Sequence, residues 1–357
     1  MHDTPATRAF GARLGLQLPL IQAPMAGFQG AAMAAAVSGA GALGSLPGAA
    51  MTPQALRDAV GTLRRERRLP VNLNFFCHAQ PAAADPEREA AWREALRPYY
   101  EELGLSFSAI ASGPGRLPFG DEAADMIEAL RPEVVSFHFG LPPAPLLERV
   151  RRAGAQVWSS ATTVAEAQWL AAHGVDAIIA QGLEAGGHRG VFLPEGRAFD
   201  LASQLRSRSL LPSILEAVRV PVIATGGIVD AAGVDHALRL GASAVQLGTV
   251  FLLCDEATTS AVHRAALQSD AASQTALTNL FSGRPARGIV NRLMRELGPI
   301  SALAPAFPSA VNAIAPLRAA AEQAGRGDFS PLWAGQDVSG CRAGPAAQLV
   351  RRLAGDS

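Results

Sequence analysis

Eight short apolar segments, each followed by a turn and an amphipathic stretch, most constrain how this chain can fold. They are continuously apolar rather than alternating, which indicates parallel strands covered on both faces. Eight strand–helix units in succession favour an α/β fold of the (β/α)8 TIM barrel type over an open doubly wound sheet. The segments are LPLIQAPM (18–25), GALGSLP (41–47), PVNLNFF (70–76), VVSFHFG (134–140), QVWSSAT (156–162), DAIIAQG (176–182), VPVIATGG (220–227) and AVQLGT (244–249).

Two stretches lie outside this pattern. GLSFSAIAS (104–112) is a ninth strand-like run, which we place in an insertion at about 78–132, after the third strand. The chain from 270 onward is richer in Pro and Gly and is predicted to form a helical cap over the active-site end of the barrel. We therefore expect a barrel over 1–269 and a C-terminal cap over 270–357.

The charge balance limits the partners of this protein. Basic and acidic residues number 31 each, which argues against nucleic acid or an anionic membrane surface as the main partner. Every basic residue is arginine, so lysine Schiff-base chemistry and a Walker lysine are excluded. The uncharged stretch 14–56 is broken by prolines, and we interpret it as buried core rather than a membrane span.

Cysteine usage and the N-terminus indicate a cytoplasmic protein. Cys77, Cys254 and Cys341 are widely spaced and odd in number, which is typical of free thiols in a reducing compartment. The first residues contain no apolar run of the kind found in a signal peptide. We expect a monomer or a homodimer.

The segment GAGALG (39–44) matches the glycine pattern of dinucleotide-binding folds. That motif requires a strand before the glycines and a helix after them, so that the helix N-terminus meets a pyrophosphate. Here the glycines follow an alanine-rich helical stretch and lead into a strand. We therefore interpret them as tight helix–strand packing.

Glycine pairs at the ends of the last two predicted strands suggest a phosphate site. In TIM barrels, catalytic groups lie at the C-terminal ends of the strands, and phosphate often binds after the seventh and eighth. Gly226 and Gly227, and likewise Gly248 and Thr249, are expected to open helices there. Their N–H groups and the Thr249 hydroxyl would cradle a phosphate monoester. The alternative is that the glycines only turn the chain.

Amides and histidines follow other strands at the same end. Asn74 and Gln181 could contact the edge of a heteroaromatic ring, although an ordinary capped turn would use the same groups. His138 lies in an apolar run and could be buried and hydrogen-bonded. His188 follows two consecutive glycines, which give the backbone freedom to place its imidazole over a ligand. Cys77 and the neighbouring histidine lack metal-site spacing, so no metal is expected.

These motifs resemble the FMN-dependent nitronate monooxygenases, formerly called 2-nitropropane dioxygenases. The likeness covers most of the chain and is carried by LIQAPMAG, AAAVSGAGALGSL, NLNFFCH, SFHFG, AQGLEAGGHRG, PVIATGG, VQLGTVFL and LWAGQ. The resemblance implies FMN at the barrel mouth, with His188 as the catalytic group and His138 as a second active-site histidine. The cofactor contacts it implies are Met25, Asn74, Gln181, Gly186, Gly227, Gln246, Leu247, Gly248 and Thr249.

The reaction implied by the resemblance is oxidation of an alkyl nitronate, such as propionate 3-nitronate, by O2. The products are a carbonyl compound and nitrite or nitrate, formed through an FMN semiquinone. Since a nitronate is already an anion, His188 would act on it electrostatically, whereas from a neutral nitroalkane it could take the α-proton. Relatives line the substrate cavity with tyrosines and a lysine. This chain has only Tyr99 and Tyr100, no lysine, and offers Phe307 and Arg318 instead.

Two other functions use similar sequence features. Flavin-dependent NADH:quinone reductases and enoyl-acyl-carrier-protein reductases share the barrel and the glycine–glycine–histidine loop, and they take electrons from a reduced nicotinamide. A barrel that binds a phosphorylated ligand without redox chemistry is the other alternative. A purely structural protein is disfavoured, because polar residues cluster at the strand ends.

Overall fold

The strands form a closed parallel barrel, as the sequence predicts. The computed structural model describes residues 4–65, 68–79, 85–110, 116–193 and 201–355. Eight strands are ordered β1-β9-β8-β6-β5-β4-β3-β2, and a parallel bridge between Ile21 and Leu43 joins the two ends of this order. The (β/α)8 prediction is thus confirmed. The strands are β1 (Leu20–Gln22), β2 (Gly44–Leu46), β3 (Val71–Phe76), β4 (Val134–His138), β5 (Gln156–Ala161), β6 (Ala177–Gln181), β7 (Gly187–His188), β8 (Val222–Thr225), β9 (Ala244–Leu247), β10 (Thr275–Thr278) and β11 (Ala286–Ile289).

The helices surround the barrel and close its N-terminal end. In α3, apolar residues Leu56, Val60 and Leu63 repeat at helical spacing and are buried, which packs this helix against the strands. Phe10 of α1 packs on Trp158 inside the barrel, with ring centroids 5.4 Å apart. The helices are α1 (Pro5–Leu14), α2 (Ala31–Gly39), α3 (Pro53–Arg64), α4 (Pro86–Glu102), α5 (Asp121–Leu130), α6 (Ala144–Arg152), α7 (Val164–Ala172), α8 (Ser207–Ala217), α9 (Ala231–Arg239), α10 (Ala261–Leu267), α11 (Arg292–Glu296), α12 (Ala310–Gln323) and α13 (Ala346–Ala354). Within the described ranges, every helix is too short or too polar to cross a bilayer.

The GAGALG segment connects α2 to β2, in the order opposite to that of a dinucleotide site. Gly44 lies directly against α2, where an added Cβ would come 2.7 Å from the Cα of Ala34. The Gly44 N–H donates to the Ser38 hydroxyl at 2.9 Å. These glycines therefore serve helix–strand packing, as predicted.

The strand-like run at 104–112 lies between β3 and β4, where the insertion was expected, but its described part does not form a strand. Its described part contains a single 3-10 turn, Phe107–Ala109, and Phe107 stacks on Tyr100 with ring centroids 4.6 Å apart; residues 111–112 lie outside the described ranges. The barrel is closed, so it offers this apolar run no free strand edge to pair with. The neighbouring helix α4 instead packs on the C-terminal segment, where the Tyr100 hydroxyl donates to the Ala313 carbonyl at 2.7 Å.

The segment after residue 269 contains helices α11 to α13. It also contains two strands, which were not predicted because this segment is rich in Pro and Gly. Strands β10 and β11 pair antiparallel, and β11 also pairs with β7, where Ala286 lies opposite His188. Helix α13 buries Leu349, Val350 and Leu353 within the main barrel core. A boundary between barrel and cap at 269 therefore stays a prediction.

Candidate active site

One large cavity opens at the C-terminal end of the barrel and contains every predicted site residue in its wall. Its volume is about 1080 Å³, slightly above the roughly 300–1,000 Å³ of small-molecule sites, which leaves room for a cofactor and a substrate together. The predicted residues in the wall are Met25, Asn74, His138, Gln181, Gly186, His188, Gly227, Gln246, Leu247, Gly248 and Thr249.

His188 is held from both sides of the cavity. Its main-chain carbonyl accepts hydrogen bonds from Gln181 Nε2 at 2.9 Å and from His138 Nε2 at 3.1 Å. Its ring Nε2 lies 2.8 Å from the Ser282 hydroxyl, which comes from the C-terminal segment. The barrel thus fixes the backbone of His188, and the C-terminal segment orients its side chain.

Aromatic rings enclose the imidazole of His188. The centroids of Phe307 and Trp333 lie 5.6 Å from the centroid of the His188 ring, and those of Phe139 and Phe76 lie at 6.0 and 6.2 Å. We call these four rings the aromatic collar. Burial lowers the pKa of His188 to about 3, with smaller contributions from His138 and two arginines. His188 is therefore neutral at physiological pH.

His138 uses both of its ring nitrogens within the protein. Its Nε2 faces a carbonyl and must donate, so the neutral ring leaves Nδ1 to accept from the Ser160 hydroxyl at 3.0 Å. Burial lowers the pKa of His138 to about 4, which keeps the ring neutral. This arrangement favours a role in positioning His188 over direct contact with a substrate.

Arg189 fixes the loop that carries His188, and it was not identified from the sequence. It is only 1% exposed. Its guanidinium donates to the carbonyls of Gly182 at 2.7 Å and Gln181 at 2.8 Å, and to the side chain of Gln204 at 2.9 Å. Burial lowers its pKa to about 10, so it stays charged at neutral pH. The sequence feature that could have identified Arg189 is its position directly after the glycine–glycine–histidine turn.

Gln181 also holds this loop. In addition to its bond to the His188 carbonyl, its Oε1 accepts from the Gly190 N–H at 2.8 Å. The Gln181 amide thus connects two residues of the loop, as the capped-turn alternative predicts. Its position in the cavity wall leaves the predicted cofactor contact as a prediction.

The two predicted helix openings differ. Gly226 and Gly227 have φ values of 104° and 72°, and α9 begins only at Ala231, so the prediction that this pair opens a helix is wrong. These positive φ values suit glycine in a sharp turn between strand and helix. Gly248, in contrast, directly precedes the 3-10 turn Thr249–Phe251, and both Gly248 and Thr249 line the cavity wall.

Close packing of neighbouring segments explains why glycine occupies positions 186 and 248. A Cβ on Gly186 would lie 2.7 Å from the carbonyl carbon of Ala334, so glycine lets the loop pack against the C-terminal segment. A Cβ on Gly248 would lie 3.3 Å from Ala23 Cβ and 3.7 Å from Met25 Sδ. The residue after β9 therefore packs closely against the end of β1, its hydrogen-bonded neighbour in the barrel.

Three polar side chains in the cavity wall have hydrogen-bonding capacity left for a ligand. Gln246 Oε1 is buried and has no hydrogen-bond partner among the described residues, and a buried acceptor of this kind requires a donor. The Thr249 Oγ1 accepts from the Gly335 N–H at 2.9 Å, which leaves its own hydrogen to donate. Asn74 Nδ2 donates to the Ser136 hydroxyl at 2.9 Å, which orients its Oδ1 as the remaining acceptor.

Comparison with known proteins identifies the family. The family model described as nitronate monooxygenase matches residues 10–356. A nitronate monooxygenase of Pseudomonas aeruginosa is 42% identical over 97% of this chain and 98% of its own. One from Paraburkholderia phytofirmans is 43% identical over 99% and 96%. The chain belongs to the nitronate monooxygenase family. It is therefore an oxidoreductase, and the family is one of flavin-dependent enzymes.

Solved structures agree with membership of the nitronate monooxygenase family. Nitroalkane oxidase from Streptomyces ansochromogenes superposes with a TM-score of 0.85 and 36% identity, over 98% of this chain and 97% of that chain. FabK from Thermotoga maritima gives a TM-score of 0.69 at 23% identity, over 98% and 95% of the two chains. The second likeness shows the shared fold alone.

In this nitronate monooxygenase family member, only some of the aromatic and arginine residues of the cavity wall were identified from the sequence. Phe307 and Arg318 line the wall, as do Phe76 and Trp333. Tyr99 is buried against Phe329, with ring centroids 5.2 Å apart, and neither it nor Tyr100 contributes to the cavity wall. Aromatic carbon and arginine thus line this wall.

Proposed function

We propose that this protein uses FMN to oxidise alkyl nitronates, such as propionate 3-nitronate, with O2 to a carbonyl compound and nitrite or nitrate. The observation that carries the proposal is a neutral, aromatic-enclosed His188 in the same cavity as a set of unsatisfied polar atoms and glycine turns. The family to which the chain belongs supports the reaction, and the cavity volume of about 1080 Å³ supports a cofactor beside a small substrate.

The residues present fit FMN. The orphaned Gln246 Oε1 can accept from a ring N–H of an isoalloxazine. The Thr249 hydroxyl and the backbone around Gly227 and Gly248 line the same wall and can donate to a phosphate monoester. Met25 lines the cavity at the end of β1, and the isoalloxazine ring could pack against it there. When bound, FMN supplies the electron acceptor.

His188 can serve the substrate through its second ring nitrogen. Ser282 occupies Nε2, and Nδ1 has no hydrogen-bond partner among the described residues. Ser282 Oγ also lies 3.3 Å from the Arg284 carbonyl, so its hydroxyl can donate either there or to the imidazole. With the proton on Nε2, Nδ1 is a base for a nitroalkane α-proton. With the proton on Nδ1, the ring donates to a nitronate oxygen.

The aromatic collar excludes water from this exchange. Phe76, Phe307 and Trp333 line the cavity around the imidazole. Nδ1 can therefore exchange a proton or form a hydrogen bond with the substrate with little competition from solvent. His138, acting through the His188 carbonyl, keeps the ring at a fixed position.

The direct test is turnover of propionate 3-nitronate by the FMN-loaded protein, followed as O2 consumption and nitrite release. We expect O2 uptake that depends on nitronate and needs no NADH. O2 uptake or quinone reduction that requires NADH, with no response to nitronate, would assign the protein to the reductase alternative instead.

Substitution of Gly227 tests the phosphate end of the site. Gly227→Ala places a Cβ 3.1 Å from the Glu184 side chain at a φ of 72°, and we expect FMN affinity to fall about tenfold or more as the turn shifts. Gly154→Ala is the matched control, because it has a φ of 87° and open space around the added Cβ. Both variants should lose roughly 1 kcal/mol of stability. Equal FMN affinity in the two, measured by fluorescence titration, would contradict the assignment.

A further inference from the structure

Glu166 is a buried carboxylate that lies outside the cavity wall and outside the sequence motifs described above. Its side chain belongs to α7 and is only 1% exposed. Its Oε2 accepts from the N–H and the hydroxyl of Thr162, directly after β5, at 2.7 and 2.8 Å. Its Oε1 accepts from the N–H groups of Phe192 at 2.7 Å and Leu193 at 3.3 Å. One side chain thus joins the end of β5 to the segment that follows His188.

This site requires a carboxylate rather than an amide. Within the described residues, all four groups that contact the Glu166 oxygens donate a hydrogen bond. A carboxylate accepts at both oxygens, whereas a glutamine of the same shape accepts at one end and donates at the other. Glutamine would therefore turn its NH2 group toward one pair of donors and leave that buried pair without an acceptor.

Helix α7 holds Phe192 by its ring as well as by its backbone. Trp169 follows Glu166 by three residues, so the two side chains lie on the same face of α7. The Trp169 ring packs edge-on against the Phe192 ring, with centroids 5.2 Å apart. Phe192 in turn packs on Gly140, where an added Cβ would come 3.1 Å from the phenylalanine ring. The helix thus fixes Phe192 against the turn that follows β4.

That turn carries a ring of the aromatic collar in an unfavourable conformation. Phe139 has a φ of 70° and Gly140 a φ of 94°. A positive φ in a phenylalanine persists only where the surrounding contacts enforce it. Phe192 supplies one such contact. Arg284 supplies another, since it lies over the Phe139 ring at 4.3 Å and donates to the Val191 carbonyl at 3.2 Å. The turn and the segment 191–193 therefore support each other.

We propose that Glu166 is a positioning residue for the reaction, which holds the far end of the loop that carries His188, and through Phe192 the turn that carries Phe139. The inference rests on the proposed function, in which His188 acts on the substrate. The loop is fixed at its start through the His188 carbonyl and at its end through Glu166. Loosening one end displaces the imidazole, and a misplacement of about 1 Å can slow a catalysed reaction by about 100-fold.

The test is a double-mutant cycle on kcat for propionate 3-nitronate, made with the FMN-loaded proteins. Its variants are Glu166→Gln, His188→Asn and the two changes combined. We expect Glu166→Gln alone to lower kcat by about tenfold or more. In the His188→Asn background the same change should cost less than about twofold, because the group that Glu166 positions is then absent.

Thr162→Val is the matched control for Glu166→Gln. It removes one hydroxyl from Oε2 and leaves the hydrogen bonds from Phe192 and Leu193 to Oε1 in place. We therefore expect its kcat to stay within about twofold of the natural value. If Glu166→Gln does not fold, Glu166→Asp takes its place, because it keeps the carboxylate and shortens its reach.

Hydrogen exchange measured by mass spectrometry reports on the loop without any turnover. Amides at 188–193 should exchange faster in Glu166→Gln and at the natural rate in Thr162→Val. Unchanged exchange there in Glu166→Gln, or equal losses of kcat with and without the His188 imidazole, would overturn the proposal. If the natural protein does not turn over the nitronate, the proposed function fails. The exchange rates then still decide whether Glu166 holds the loop.

Discussion

His188→Asn is expected to lower kcat by about 100-fold or more with a neutral nitroalkane, and to abolish most turnover of a nitronate, while FMN stays bound. Asparagine preserves a hydrogen-bonding group near Ser282, which lies 2.8 Å from Nε2 in the natural protein. It supplies no base and no imidazole N–H at the position of Nδ1. Steady-state kinetics and the flavin absorbance of the purified variant measure the two effects separately.

The contrast with Ser282 and the pH profile sharpens this prediction. Ser282→Ala should keep a base at His188 but loosen its orientation, and it should cost less than the His188 change. Since burial lowers the pKa of His188 to about 3, far below the ordinary value of about 6.5, the ring should not lose activity to protonation between about pH 5 and 8. Near-natural kcat in His188→Asn would remove His188 from the mechanism.

Acid should also weaken the fold through the same histidines. His138 and His188 have pKa values lowered to about 4 and about 3, so the unfolded chain binds their protons at higher pH than the folded protein does. Their contribution to stability is therefore complete above about pH 6.5 and is lost as the pH falls toward those folded values.

Arg189→Met is expected to destabilise the protein by several kcal/mol, because it removes the hydrogen bonds that the guanidinium donates to two carbonyls and to the Gln204 side chain in the core. Methionine keeps a similar length and removes the fork of donors. The loop that positions His188 should loosen together with the core beneath it. Thermal or denaturant unfolding measures the loss.

The matched control for Arg189 is an arginine that forms an ion pair on the surface. Arg239 pairs with Asp235 one helical turn away and is more than half exposed. Arg239→Met should change the free energy of unfolding by less than about 1 kcal/mol. Equal losses in the two variants would mean that the buried hydrogen bonds of Arg189 contribute nothing specific.

The barrel and the membership of the cavity wall were predictable from sequence, for a local reason. A parallel strand that is buried on both faces is continuously apolar, so a run such as 176–182 can be recognised as a strand from its sequence. The barrel geometry then brings the C-terminal ends of these strands together. His188 and Thr249 could be assigned to one site without knowing any distance between them. The closed barrel also explains why residues 104–110, the described part of the apolar run at 104–112, do not form a strand.

The partners of those residues were not predictable, because they depend on contacts across long stretches of chain. Ser282 and Trp333 reach the site from the C-terminal segment, where β11 pairs with β7. No local pattern marks a serine that will meet a histidine far away in the sequence. The tautomer of His138 is likewise set by a carbonyl and a hydroxyl on other elements.

Anaerobic mixing of the FMN-loaded protein with propionate 3-nitronate, and separately with NADH, tests the central claim most directly. Recording the flavin absorbance after each mixing shows which compound gives electrons to the cofactor. We expect the nitronate to reduce the flavin rapidly and NADH to leave its spectrum unchanged. Rapid bleaching by NADH, with no response to the nitronate, would contradict this expectation and assign the chain to the reductases that share this barrel.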